Sequence, residues 1–290
     1  MEWLIAPFEV GFVQRALWGG VLVSVVCALA GTWVVLRGMA FLGDALSHGM
    51  LPGVALASLL GANPFVGAAL SAGVLAAGVT VLGRSGRLSH DTGIGLLFVA
   101  MLSAGVIIVS RSESFAVDVT GFLFGDVLAV RNADLGVLAV AVLVAVVVSV
   151  LGYRAFVALT LDARIAHTLG LRPGRAHAAL LALITLATVS SFHVVGTLLV
   201  FGLLVAPPAA ALAWARRIPA ALVGATLLGC TATVLGLLVS WHAGTAAGAT
   251  IAAVAVAQYF VSSALARLRD RVRPLLNPEW TIQEKVETPT

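Results

Sequence analysis

The sequence predicts an all-α polytopic membrane protein of about nine transmembrane helices with one re-entrant or interfacial segment, N-terminus out and C-terminus in. Composition is the first observation: of 290 residues, 60% are hydrophobic and 10% charged. Soluble domains carry about 25% charged residues, so a cytosolic enzyme built on one packed core is excluded, and disorder, collagen and a disulfide scaffold fall with it. The second is the apolar runs: at about 20 residues per span, roughly nine fill the chain and leave no room for a second soluble domain. The third is charge placement. With the N-terminus outside, only Arg15, Arg111 and Arg131 of the 17 basic residues face outward, a strong positive-inside bias.

In order, the expected spans are 17–36, 40–60, 64–83, 92–110, 134–152, 176–190, 194–214, 219–240 and 246–265. The run 115–131 is short and carries Asp118 and Asp126; it reads as the re-entrant segment, because a full crossing there would put the later basic loops outside. A membrane domain thus covers 1–273, with a cytoplasmic loop at 153–175 and a polar, proline-bearing tail at 274–290. Within the loop, 160–170 reads as a short helix: Thr160 caps it, Asp162 suits its positive end, Gly170 stops it and Pro173 follows. Asp91 is expected to cap the fourth span. Pro52, Pro207 and Pro208 interrupt spans, and any carbonyls they free either line a cavity or are satisfied by neighbouring helices.

A basic chain of net charge +4 invites a nucleic-acid reading, but its arginines are scattered through short loops between apolar runs. Lys285 is the only lysine and lies in the tail, so a Walker A sequence is absent and any ATP hydrolysis belongs to another chain. Cys27 and Cys230 lie in apolar runs and read as buried thiols. Met1 to Val10 holds Glu2 and Glu9 and no early basic residue, unlike a signal peptide. Hydrolase and zinc-protease motifs are missing too, which disfavours a membrane enzyme.

Ionisable residues in a span cost at least about 2.5 kcal/mol at its centre and mark function. Asp44 and His48 are four residues apart and share one face of the second span. His48 lies about 12 Å into it at 1.5 Å per residue, near the midplane. Carboxylate and imidazole on one face make half a transition-metal site, and a symmetric dimer would supply two of each. An Asp–His hydrogen bond that only holds the helix in place suits the same spacing. Ala45, Gly49, Gly53 and Ala57 form a small-residue stripe for close packing. His193 and His242 stand near outer span ends and, with Asp118 and Asp126, are candidate entrance groups. His90, His167 and His177 read as solvated, as does Asp134.

The stretch Gly31 to His48, with Arg37-Gly-Met-Ala-Phe-Leu-Gly43-Asp44-Ala-Leu-Ser-His48 at its heart, resembles the metal-ion ABC transporter permeases of the zinc and manganese uptake type. Asn63-Pro64-Phe65, Asp91-Thr-Gly-Ile-Gly95, Leu123-Phe-Gly-Asp126, Val195-Gly-Thr-Leu-Leu-Val200 and Leu204-Val-Ala-Pro207 continue the resemblance in order. The family's proline-bearing turn before the last span is absent from Trp241 to Thr250. The resemblance implies a homodimeric permease of the bacterial plasma membrane, cytoplasmic ATPase subunits, an extracytoplasmic metal-binding protein, and Asp44 and His48 as pathway ligands. It also implies that Thr160, Leu161, Asp162, Ile165, Ala166, Leu169 and Gly170 belong to the segment that meets the ATPase. No permanently bound cofactor is expected; the cargo is Zn2+ or Mn2+, with zinc favoured by the imidazole. A permease for a metal chelate, or a secondary carrier using the pair as a proton relay, are the alternatives.

Overall fold

The computed structural model describes residues 6–84, 89–110, 125, 127–161 and 171–276. They form nine α-helices in sequence: α1 Gly11–Leu36, α2 Ala40–Gly49, α3 Leu51–Leu59, α4 Pro64–Arg84, α5 His90–Ser110, α6 Asn132–Leu161, α7 Pro173–Leu212, α8 Ile218–Ala243 and α9 Ala247–Leu276, with short 3-10 turns at Ala6–Glu9 and Val127–Ala129. Eight stretches within them are long and apolar enough to cross a membrane. The remaining expected span, 40–60, is present as α2 and α3, which meet at Met50.

α1 runs through the middle of the bundle because its faces are built to be approached. Ala16, Val23, Val26, Ala30 and Trp33 are fully buried. Ser24 hydrogen-bonds Thr233 of α8 at 3.2 Å. Gly31 lies against the carbonyl of Leu204, where any side chain would collide with backbone. Pro208 explains this contact: it has no N–H to give the carbonyl four residues earlier, which is that of Leu204. Neighbouring helices therefore close over the freed group.

α7 is two spans joined at Gly196, whose backbone (φ 75°, ψ 164°) is not helical. Contacts along α1 show that the chain reverses there. Arg37 meets His177 at 3.3 Å, Gly19 lies beside Val194, and Gly31 lies beside Leu204. The first half of α7 therefore runs against α1 and the second half along it, matching the two expected spans 176–190 and 194–214.

Both ends of the bundle are defined by these contacts. Arg37 and His177 mark one end. Arg154 adjoins Tyr153, whose ring meets Trp33 at 6.1 Å near that end, and Arg172, Arg175, Arg216 and Arg217 belong to it as well. At the other end Arg15 donates to the Val130 carbonyl at 3.0 Å, beside Arg131. Among the described residues, the charge asymmetry expected from the sequence is thus present in the fold. Large apolar residues such as Leu70, Leu143, Leu151 and Leu227 are exposed between the two ends, as a lipid-facing belt requires.

Several local expectations change. α6 continues to Leu161, because Phe156, Ala158 and Leu159 are buried against the bundle. Thr160 therefore lies within a helix instead of opening one; its hydroxyl donates back to the Val157 carbonyl at 2.7 Å. Leu161, the next residue of that helix, is exposed. Asp162, Ile165, Ala166, Leu169 and Gly170 lie outside the described residues, as do His167, Asp118, Asp126 and the tail from residue 277. Ser89, not Asp91, caps α5, its oxygen accepting the Thr92 amide at 3.2 Å. Asp134 accepts the Arg131 amide at 2.9 Å and is not simply solvated. Nor is His177, which is half-buried against Arg37. Partial burial pulls the Arg37 guanidinium below its ordinary pKa, since loss of water disfavours the charged form.

Candidate metal pathway site

α2 begins with a tight turn after α1: Gly38 takes φ 64°, which a side chain would resist, and the Met39 amide returns to the Val34 carbonyl at 2.9 Å. The helix then buries Leu42, Gly43, Ala45, Leu46, Ser47, Gly49 and Met50. Gly43 lies against Leu204 and Gly49 against Leu75. What these contacts leave uncovered is a narrow strip. Phe41 is exposed, and the side chains of Asp44 and His48 keep 31% and 30% of their surface accessible. Helical spacing puts the three on one face, which the rest of the chain covers only in part.

Asp44 Oδ1 and His48 Nε2 are 3.6 Å apart, too long for a good hydrogen bond and the right order for two groups that share a cation. Phe98 of α5 stands edge-on to His48 at 5.9 Å between ring centres and to Phe41 at the same distance. An aromatic ring thus walls the imidazole on one side. Sequence reasoning missed Phe98, because a phenylalanine in an apolar run carries no mark of its own.

α2 ends one residue after His48. Ser71 of α4 donates to the Gly49 carbonyl at 2.7 Å, taking up an acceptor at the break. α3 then packs on α4 so closely that a side chain at either Gly53 or Gly67 would meet the other's carbonyl. The helix pair is pinned on its packed side, and the polar pair is displayed on the other.

The other candidates are not gathered here. His242 is exposed in the last turn of α8, its Nδ1 2.8 Å from the Leu238 carbonyl. The backbone of His193 lies in α7 next to Val194, which faces Gly19 at the far end of α1. Both sit toward the end away from Arg37. Among the described residues no three His, Cys, Asp or Glu side chains come together. Two apolar grooves, of about 500 and 370 Å³, run beside α4, one against α7 and one against α3, and neither includes Asp44 or His48. In one chain, then, Asp44 and His48 stand together without a third His, Cys, Asp or Glu beside them among the described residues.

The ABC 3 transport family matches residues 9–266. The chain belongs to that family. It is 34% identical over 262 residues to the manganese transport system membrane protein MntC of Listeria monocytogenes, which covers 90% of this chain and 93% of that one. A chelated iron transport system membrane protein of Yersinia pestis is 31% identical over 283 residues, covering 98% and 94%. Among solved structures, PsaBC from Streptococcus pneumoniae in complex with Fab shares 30% identity and superposes with a TM-score of 0.79 over 89% of this chain and 94% of that one. The chain is accordingly a multi-pass membrane subunit of a bacterial ABC transporter, and the ATPase activity of such a system resides on separate subunits.

Proposed function

We propose that this chain is the permease subunit of an ABC importer for a divalent first-row transition metal, manganese ahead of zinc, and that two copies share one cation site. The observation that carries the reading is the placement of Asp44 and His48, 3.6 Å apart on the uncovered face of a helix that breaks one residue later. One copy offers two ligands, whereas tetrahedral zinc takes four and octahedral manganese more. A twofold axis along this face supplies two carboxylates and two imidazoles, and water completes a larger shell. Imidazole favours zinc and carboxylate favours manganese; the name of the Listeria relative moves manganese ahead of the zinc expected from the sequence. A cation held by a few ligands next to water leaves again, as transport requires.

The ends of the bundle suit different partners. The arginine-rich end faces the cytoplasm by the positive-inside rule. The segment 160–170, which begins with Thr160 and Leu161 of α6, is the part proposed to meet the ATPase. The opposite end, toward which His193 and His242 lie, receives the cation from an external binding protein, with Asp118 and Asp126 as the entrance groups expected from the sequence. The name of the Yersinia relative supports a second reading, passage of a metal chelate, which would need a wide path and no ligand pair.

Uptake of radioactive manganese and zinc by cells lacking this transporter, complemented with wild type, Asp44→Ala or His48→Ala, tests the proposal. Wild type restores manganese uptake; each variant lowers it by more than about tenfold while remaining in the membrane with the ATPase. Wild-type rates in both variants would overturn the ligand reading and favour the chelate. Restoration of zinc uptake alone would overturn the choice of manganese.

A further inference from the structure

We infer that the arginine-rich end of the bundle, where α7, α8 and α9 meet, holds the phosphate of an anionic phospholipid headgroup. This does not rest on the identity of the cargo. Trp214 lies in the turn between α7 and α8 and is 45% exposed. Its ring is fixed: Nε1 donates to Ser262 Oγ of α9 at 2.8 Å, and that hydroxyl donates to the Ala210 carbonyl at 3.2 Å. The Arg269 guanidinium lies 4.7 Å from the centre of the ring, on its face, and donates to the Ala213 carbonyl at 3.4 Å. Stacking orients the guanidinium plane and lowers its freedom. Arg216 and Arg217 follow in the same turn, both exposed. α8 starts immediately afterwards without a side-chain cap, adding the positive end of its dipole.

Depth selects the ligand. Val261, Leu265 and Leu268 of α9 are large, apolar and exposed just before or around Arg269, a surface that faces acyl chains. Cations on its margin, with an indole between, are at headgroup level. From 213 to 217 no acidic residue intervenes, and from 267 to 273 four arginines outnumber the single Asp270. Planar guanidinium groups pair well with phosphate oxygens, and anionic lipid is the phosphate carrier present at this depth.

The permease, purified with its ATPase and stripped of lipid in detergent, is titrated with dioleoyl phosphatidylglycerol or dioleoyl phosphatidylcholine and read by native mass spectrometry. Wild type retains phosphatidylglycerol at least about tenfold more tightly. R216Q/R217Q loses that preference, at about fivefold for each arginine. Arg269→Gln, whose change is confined to the surface, loses about fivefold and guards against a folding defect in the double variant. Equal binding of the two lipids by wild type, or an undiminished preference in both variants, overturns the proposal. Displacement of the lipid by millimolar inorganic phosphate would assign the site to a free anion and overturn it as well. So would loss of the ATPase from R216Q/R217Q with lipid retention intact, which would make this a protein contact.

Discussion

The α2–α3 pair and α7 are both interrupted, the first within one span and the second where two spans join, and the two interruptions have different consequences. At Met50 the backbone stays right-handed, with φ −75° and ψ −21°; a serine from α4 takes the Gly49 carbonyl, and two ionisable groups sit on the open side of the turn before. At Gly196 the backbone takes φ 75° and ψ 164°, and the chain reverses direction. Gly125, itself at φ 62°, presses against the Val195–Gly196 peptide so closely that a side chain at Gly125 would collide with that backbone. One break leaves freedom and polarity at a surface; the other uses backbone freedom to set topology and is sealed by a second glycine. An interrupted membrane helix is therefore a site only where ionisable side chains and an uncovered face coincide with it.

The difference predicts opposite phenotypes. Gly196→Ala places a side chain in a region of φ/ψ space that is essentially glycine-only, at about 1–3 kcal/mol before any clash with the segment at Gly125. Its expected result is a fall of about 5–10 °C in the melting temperature of the detergent-solubilised protein, with uptake lost in proportion to folded protein. Asp44→Ala, by contrast, leaves the melting temperature within about 2 °C and removes uptake. Equal melting temperatures for Gly196→Ala and wild type would show that the reversal does not depend on this glycine.

Ser71→Ala is the intermediate case, since it touches the first break without touching the polar pair. The Gly49 carbonyl loses its donor, which costs about 1–3 kcal/mol if nothing replaces it. α2 and α3 then hold their angle less firmly, and uptake falls several-fold while the ligands remain. If uptake by Ser71→Ala matches wild type at every metal concentration, the hydroxyl has no part in fixing the break.

Much of this was legible in the residues because the bilayer simplifies the code. Apolar runs separated by arginines located the spans, and Asp44 with His48 stood out because charge in such a run is costly. Spacing alone also put the pair on one face. What spacing did not show is which face the neighbours leave bare; that depends on Leu75, Leu204 and Ser71, far away in sequence. Thr160 misled for a related reason. A threonine before an aspartate reads as a cap, but Phe156, Ala158 and Leu159 continue the buried face of α6 and carry the helix past it. Gly196 sat inside an apolar run without a turn signature, so the sequence placed the reversal a few residues early, between 190 and 194, and the backbone located it at Gly196.

The smallest expected effect is at Phe98, and it separates positioning from ligation. Its ring touches His48 and Phe41 but offers no atom to a cation. Aromatic pairs of this kind are worth about 0.5–1.5 kcal/mol beyond their burial, so Phe98→Leu should raise the half-saturating metal concentration about two- to tenfold. If Asp44 and His48 are the ligands as proposed, the maximal rate should hold, because both remain to receive the cation once it is present in excess. Phe98→Tyr keeps the ring and should restore the half-saturation value. A structural defect would lower the maximal rate in both variants in step with the amount of folded protein. A loss of maximal rate in Phe98→Leu at full expression would mean that the ring is part of the moving gate, and the α2–α5 face would then have to change shape during transport.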